Sequence, residues 1–271
     1  MTYRMALRWA EGMGMEARDA HWLLSEVARM DLSQYLLHGD DTMEPEQVKC
    51  FEGMVRRFSA GEPAQYILGY WDFCGLTLKV DRRALIPRPE TEVLVEKALA
   101  HMPEDAALRV ADVGCGTGCI GLALLRARRR LRMTLLDLSE KALDLARENA
   151  ALLRMKPDFV RADMNRPLPG GPYDWICSNP PYITTEDCGG LDASVREFEP
   201  MSALDGGTDG LDFYRALAGR ARDSLAPGGY MILEIGRGMA DGVMEIMKDL
   251  VWVGTYPDLA GIDRVMLFQK G

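Results

Sequence analysis

The sequence predicts an α/β chain: a wound, mostly parallel sheet covered by helices, preceded by a small helical domain and a β-hairpin linker. Three observations carry this expectation. From residue 108 onward, short apolar runs alternate with stretches of helical periodicity, which is the pattern of βαβ units. A Gly-rich turn, Gly114 to Gly118, joins the first of those runs directly to the first such helix. Before residue 60, by contrast, apolar residues recur only at helical spacing.

Met1 to about Phe58 reads as a run of helices. Ala20, Leu23, Leu24, Val27 and Ala28 share one face, and Asp19 is placed to cap that segment. The turn Gly39-Asp40-Asp41-Thr42 precedes a further helix with Pro45 in its first turn, where a missing N–H costs nothing. Gly61-Glu62-Pro63 marks a break, so the helical domain is expected over residues 1–65. Tyr66 to Val80 is punctuated by glycine and rich in aromatic and β-branched residues, which predicts a hairpin within a linker of residues 66–84. Pro87 and Pro89 then impose an extended entry to a helix that runs to about His101. Glu90 and Glu92 fall where carboxylates favour a helix N-terminus. Leu85 to Glu92 therefore either caps that helix or lies over a ligand.

The second domain is expected over residues 85–271. Leu108–Val113 reads as a strand, followed by the Gly-rich turn and a helix from Cys119 to about Arg130. Met133–Leu136 is the next strand, ending at Asp137. A helix over Glu140–Leu153 and a short strand over Asp158–Arg161 lead to Asp163-Met164. Tyr173–Ser178 reads as a buried strand that Asn179-Pro180-Pro181-Tyr182 stops abruptly. Leu211–Leu225 is helical, Tyr230–Ile235 a strand and Met239–Leu250 helical. Val251–Tyr256 and Val265–Gln269 close the chain, near enough in sequence to pair antiparallel.

Composition narrows the class. Hydrophobic residues make 48% and charged residues 27%, ordinary for a soluble globular protein. No apolar stretch reaches the roughly 18 residues of a membrane span, and Met1–Met5 lacks a signal-peptide pattern. Six scattered cysteines without disulfide or metal spacing suit a reducing cytoplasm. Only His21, His38 and His101 are present, none near another candidate ligand, which argues against a metal site or a histidine-based nucleophile. The net charge is −9, and residues 1–75 hold seven Lys or Arg against twelve Asp or Glu. The one basic cluster, Arg126 to Arg132, is expected in the last turn of a helix, where cations complement the dipole. Stable nucleic-acid binding is therefore not expected.

The chemistry is expected at two turns. Glycines at 114, 116 and 118 permit a tight bend and close approach to a ligand, and the following helix start offers free N–H groups. Asp137, nineteen residues beyond Gly118, stands where a carboxylate accepts both hydroxyls of a ribose. Gly116 to Gly121 also satisfies Gly-x-Gly-x-x-Gly, so a dinucleotide stays open; the tighter Gly-x-Gly-x-Gly is more typical of S-adenosylmethionine sites. Asp163 follows a strand, where it either reaches an adenine amine or serves turn chemistry. Asn179 to Tyr182 offers what a planar –NH₂ group needs: a side-chain oxygen on Asn179, the Pro180 carbonyl and an aromatic face on Tyr182. Pro180 and Pro181 fix φ and remove two donors. A Pro-rich turn closing a strand is the plain alternative.

Taken together, Pro63 to Gly69, Ile86 to Glu92, Asp112 to Gly118, Asn179 to Ile183, Glu199-Pro200 and Ala203 to Leu211 closely resemble the HemK/PrmC family, the peptide chain release factor glutamine methyltransferases. The resemblance spans nearly the whole chain, and the segments outside the tetrad make it specific. It implies a Rossmann-like S-adenosylmethionine-dependent methyltransferase sheet. Gly114, Cys115, Gly116, Thr117, Gly118 and Asp137 would bind the cofactor, with Asp163, Met164 and Asn179 beside it. Asn179, Pro180, Pro181 and Tyr182 would hold the substrate amide, with Asn179, Pro180 and Tyr182 catalytic. Where the family often carries Trp against the adenine, this chain has Met164, whose thioether packs on a ring edge. The implied substrate is the glutamine of a Gly-Gly-Gln tripeptide in release factors, docked with help from the helical domain. Methylation of an adenine amine in DNA or RNA explains the tetrad equally well, but requires a basic groove that this charge does not supply. A non-catalytic or dehydrogenase-like nucleotide-binding protein is the third reading.

Overall fold

A computed structural model describes residues 1–271, the side chain of Arg222 excepted. Contacts divide the chain into two compact units: Met1–Tyr70 with Asp192–Phe198, and Trp71–Leu191 with Glu199–Gly271.

The first unit is helical, with α1 (Tyr3–Gly12), α2 (Ala17–Ala28), α3 (Leu32–His38), α4 (Pro45–Ser59) and α5 (Ala64–Leu68). Side chains fix the helix starts. The Thr2 hydroxyl accepts from Met5 N–H, Asp31 and Gln34 close a capping box on α3, and Pro45 opens α4. Asp19, expected as a cap, lies instead in the first turn of α2, with Glu16 at the cap position. Leu7, Leu23, Leu24, Phe51 and Val55 form the core of this unit. Residues 66–68, expected in a hairpin, complete α5: Pro63 precedes it and Gly69, at φ 80°, ends it by donating to the Gln65 carbonyl. Aromatic and β-branched residues disguise that single turn as a strand.

The hairpin proper is β1 (Tyr70–Phe73) and β2 (Leu76–Lys79). Cys74 and Gly75 both have positive φ, the requirement of a two-residue turn matched to strand twist. Phe73, Leu76 and Leu78 join the core of the second unit. The expected linker of residues 66–84 thus does not coincide with the contact boundary, which falls between Tyr70 and Trp71.

The second unit carries α6 (Pro89–His101), β3 (Arg109–Val113), α7 (Cys119–Ala127), β4 (Arg132–Asp137), α8 (Glu140–Leu152), β5 (Asp158–Arg161) and β6 (Tyr173–Ser178). Two one-turn helices follow, α9 (Thr185–Cys188) and α10 (Ala193–Arg196), the latter within the first unit, and then a 3₁₀ turn at Met201–Ala203. The chain ends with α11 (Asp212–Ser224), β7 (Leu225–Glu234), α12 (Ala240–Ile246), β8 (Val251–Pro257) and β9 (Asp263–Gln269). The seven strands run in the order β5-β4-β3-β6-β7-β9-β8, parallel through β7 and antiparallel on both sides of β9. The order reverses between β3 and β6, so the crevice of an open wound sheet lies at their carboxyl ends. Central strands buried on both faces explain why the apolar runs are continuous rather than alternating.

Three boundaries differ from expectation. The helix after the Gly-rich turn stops at Ala127, so Arg126 alone of the basic cluster lies in its last turn. Arg128 to Arg130 follow it, because Leu131 must turn inward to be buried before β4. Strand β7 begins at Leu225 rather than Tyr230, since Leu225 pairs with Tyr173 and Gly228 and Gly229 exchange backbone bonds with Lys270. Helix α12 ends at Ile246, four residues early, in turns that feed β8.

Candidate functional site

Two loops meet at the reversal point. The first follows β3. Gly114, Gly116 and Gly118 have φ of 72°, 54° and 81°, the left-handed region that glycine alone enters freely. Gly114 and Cys115 N–H both donate to the Leu136 carbonyl, which draws the turn over the end of β4. Buried Asn149 braces it from below, donating to the carbonyls of Thr117 and Lys79 at 3.0 Å each. Asp112, fully buried beneath the loop, accepts from Gly121 N–H at 2.9 Å. Its other oxygen has no partner, and burial pushes its pKa up to about 7.

Asp137 ends β4 beside this turn. Its Oδ2 accepts from Gly116 N–H at 2.9 Å and its Oδ1 from Ser139 N–H at 2.8 Å. Each oxygen keeps a second lone pair for another donor. Burial raises its pKa against the pull of those N–H groups, so an incoming pair of hydroxyls would relieve an under-solvated carboxylate.

The second loop follows β6. Ser178 fixes its start by donating to the Val113 carbonyl at 2.6 Å, tying the two strand ends together. Asn179 Nδ2 donates to Thr91 Oγ1 of α6 at 3.2 Å. Pro180 and Pro181 are buried, and among the described residues nothing donates to the Pro180 carbonyl. The Tyr182 hydroxyl points toward Glu234 Oε1, 3.5 Å away at the end of β7. Three glycines cradle this tyrosine. A Cβ at Gly210 would stand 2.3 Å from the Tyr182 carbonyl oxygen, one at Gly206 2.8 Å from its Cα, and one at Gly236 3.0 Å from its ring. The Gly-rich segment 203–211 is therefore the bed of the tetrad. Burial and the neighbouring Glu234 push the Tyr182 pKa up to about 12, so the phenol stays neutral.

Both loops open into one cavity of about 410 Å³. Gly114 to Thr117, Asp137, Met164, Asn179 and Pro181 line it. Gly118, Asp163, Pro180 and Tyr182 do not. Gly118 is packed under the turn, where a Cβ would press on Leu122, Leu135 and Ala146 at 3.2–3.3 Å. The Asp163 carboxylate accepts from Asn165 N and Nδ2 at 2.9 and 3.0 Å, which lowers its pKa; these are its turn contacts.

Residues 83–88 form one cavity wall, so Leu85 to Arg88, read from the sequence as either capping α6 or lying over a ligand, line the cavity. The supporting roles of Glu199, Thr91 and Glu234 went unnoticed in the sequence. The Glu199 carboxylate accepts from Ile86 N–H at 3.1 Å and pairs with Arg88, which explains why the Ile-Pro-Arg-Pro and Glu-Pro segments belong together. Thr91 and Glu234 stand behind the tetrad, 2% and 1% exposed. A lone acid ending the apolar run Tyr230–Leu233 was the only signal for Glu234. Burial raises the Cys115 and Cys177 thiols well above their usual range, so neither presents a thiolate here. Among the described residues no group of three or more His, Cys, Asp or Glu is placed to hold a metal ion. No helix among the described residues is long and apolar enough to cross a membrane.

The arrangement fits a nucleoside bearing an amino-acid tail. A carboxylate with spare lone pairs meets a glycine turn on an apolar wall that includes Ile120, Ala142 and Met164. A Cβ at Gly116 would come within 3.6 Å of Ala84 and one at Gly114 within 3.8 Å of Met164, narrowing the cavity where a ligand would lie.

The chain is similar in sequence to known proteins. Residues 90–191 match the methyltransferase small domain family, and residues 6–69 match the PrmC N-terminal domain. A release factor glutamine methyltransferase from Geobacter sulfurreducens is 40% identical over 98% of this chain and 95% of its own. One from Koribacter versatilis is 41% identical, with 83% and 80% covered, and one from Enterococcus faecalis is 35% identical, with 98% and 99% covered. In fold, a methyltransferase from Pyrococcus furiosus superposes with a TM-score of 0.54 at 18% identity, over 73% of this chain and 90% of that one. The ribosomal protein L11 methylase of Lactobacillus delbrueckii subsp. bulgaricus gives 0.53 at 16% identity, with 69% and 82% covered.

Proposed function

The chain belongs to the release factor glutamine methyltransferase family, and from that premise we propose that it methylates the glutamine side-chain amide of a Gly-Gly-Gln tripeptide in peptide chain release factors. It is an S-adenosylmethionine-dependent methyltransferase. One observation carries the reading of the site: the Gly-rich turn after β3 and the Asn-Pro-Pro-Tyr turn after β6 open into one cavity at the reversal of the sheet. The relatives' activity favours the amide of a protein over an adenine of DNA or RNA.

When bound, S-adenosylmethionine supplies a methyl group on a positively charged sulfur. Gly114 to Gly118 and Asp137 would hold it, the turn by letting the backbone approach closely and Asp137 by accepting from the ribose hydroxyls, while Met164 would face the base and Asn179 the methyl end. Asp163 braces the Met164 turn through Asn165.

An amide nitrogen is a weak nucleophile because its lone pair is delocalised into the carbonyl. Asn179 Oδ1 accepts one of its hydrogens and the Pro180 carbonyl the other. Both bonds strengthen as positive charge builds on nitrogen, an effect of a few kcal/mol in comparable sites. Pro181 fixes the backbone between Pro180 and Tyr182, and the Tyr182 ring flanks the amide plane. Alignment of nitrogen with the methyl supplies the remaining advantage. The spent proton leaves to water, since a methylated amidium is strongly acidic.

Incubation with labelled methyl donor and a purified release factor tests the reading. Label should appear on the factor with Gln in its tripeptide and be absent with Ala. Asn179→Ala should lower kcat about a hundredfold, the size of losing one aimed hydrogen-bonding group, while cofactor affinity stays within about threefold. Labelling of the Ala factor, or wild-type turnover by Asn179→Ala, would overturn it.

A further inference from the structure

An asparagine amide can face its neighbours either way round, and the Asn179 role requires its oxygen toward the cavity. Behind Asn179 stands a buried polar chain. Thr91 Oγ1 lies 3.2 Å from Asn179 Nδ2. The Tyr182 hydroxyl lies 3.5 Å from Glu234 Oε1, and Thr91 lies near enough to favour the charged form of Glu234, although neither carboxylate oxygen takes a hydrogen bond from the threonine in this structure. Glu234 is 1% exposed, and its Oε2 has no hydrogen bond of its own. A buried carboxylate short of donors draws every hydroxyl proton near it.

A threonine hydroxyl has one proton. If that proton points at the Glu234 carboxylate, the Thr91 oxygen can only accept from Asn179. Asn179 must then present its NH₂ to Thr91 and its Oδ1 to the cavity. We propose that Glu234 is a positioning residue: through Thr91 it sets the facing of the Asn179 amide, and through the Tyr182 hydroxyl it anchors the ring. The inference rests on the role of Asn179 given above. Reversing the chain turns a donor toward the substrate N–H, and the two repel.

The charge state of Glu234 follows from all its surroundings. Burial pushes its pKa up to about 7, helped by Glu90 of α6. Thr91, Arg264 of β9 and Tyr182 pull it down. Tyr214 of α11 bonds its backbone carbonyl at 2.8 Å, and Cys119 of α7 feels its charge. A protonated Glu234 can donate to Thr91 and free the threonine proton to face Asn179.

The experiment compares kcat, KM and its pH profile for wild type, Thr91→Val, Thr91→Ser, Glu234→Gln and Asn179→Ala, with cofactor affinity measured by calorimetry. Thr91→Val and Glu234→Gln should each lower kcat about 10- to 100-fold, the range for misdirecting one charge-assisted hydrogen bond, with cofactor affinity within about threefold. Thr91→Ser, which keeps the hydroxyl, should restore kcat to within about threefold of wild type. Wild-type kcat should fall on acidification through about pH 7, and Glu234→Gln should lose that limb. Wild-type kcat in Thr91→Val, or an intact acid limb in Glu234→Gln, would overturn the proposal. Should Thr91→Val fail to fold, the pH profile decides alone. If Asn179→Ala turns over normally, the role of Asn179 itself fails; if only the Thr91 and Glu234 variants do, that role stands and this inference falls.

Discussion

Replacing Gly121 by alanine should destabilise the second unit, against the usual gain of such a change in a helix. Gly121 is the third residue of α7, in its first turn, and a Cβ there would stand 2.3 Å from Leu135 Cδ2, 3.1 Å from Asp112 Oδ2 and 3.1 Å from Met133 Sδ. Non-bonded carbons prefer about 3.5–4.0 Å, so fully buried Leu135 must retreat by about 1 Å or more. Overpacking of this kind costs about 1–3 kcal/mol. Helix propensity returns about 1 kcal/mol. With three neighbours crowded at once, the net loss should be about 1–2 kcal/mol, or a Tm lower by about 2–8 °C for a unit of this size. Gly219 of α11 is the control, since no atom lies within 4 Å of its added Cβ and it is exposed. Gly219→Ala should gain about 0.5–1 kcal/mol. Scanning calorimetry on both variants, with cofactor titration, measures the contrast. Because Gly121 N–H holds Asp112 beneath the Gly-rich turn, Gly121→Ala should also weaken cofactor binding. A Tm that rises as it does in Gly219→Ala would refute the close-packing argument.

Other outcomes follow from the same structure. Gly210 has φ 74°, and its Cβ would meet the Tyr182 carbonyl at 2.3 Å. Gly210→Ala should therefore lower kcat about tenfold or more, while cofactor affinity measured by titration stays within about threefold. Asp112 and Glu234 both have folded-state pKa values raised to about 7, so the folded state prefers their protonated forms. Stability from this source is complete below the ordinary carboxylate range and is lost as pH rises through about 7. Tm should then decline from about pH 5 to about pH 8, and Asp112→Asn should flatten that slope. Surface carboxylates Glu148 and Asp209, held down at about 2 by their arginine partners, act in the opposite sense and only in acid. A Tm rising steadily over that range would contradict the assignment.

What could be read in the sequence was what is local. Prolines and glycines announce their own backbone: Pro45 and Pro89 open helices, and Gly114, Gly116 and Gly118 take the left-handed turn. Apolar runs marked the central strands because burial on both faces leaves no polar alternation to blur them. The turn of α5 was hidden because Tyr66 and Ile67 are buried by tertiary packing that outweighs their strand preference. Supports of the site were invisible for a related reason. Glu199 meets Ile86 across 113 positions, Asn179 meets Thr91 across 88 and Asn149 meets Lys79 across 70. Nothing in the immediate neighbourhood of any of these residues names its partner. Asp163, read as either reaching an adenine amine or serving a turn, makes turn contacts to Asn165.

The first unit is built from two separate stretches, 1–70 and 192–198. A construction boundary drawn at residue 70 would leave behind the piece that includes α10, and a single protease nick near the hairpin would not release the helical module. Excision takes three cuts. Grafting a different helical module onto this sheet would therefore mean rewriting two distant passages together, one of them only ten residues beyond Tyr182. Such interleaving couples inheritance of the module to inheritance of the loop beside the chemistry.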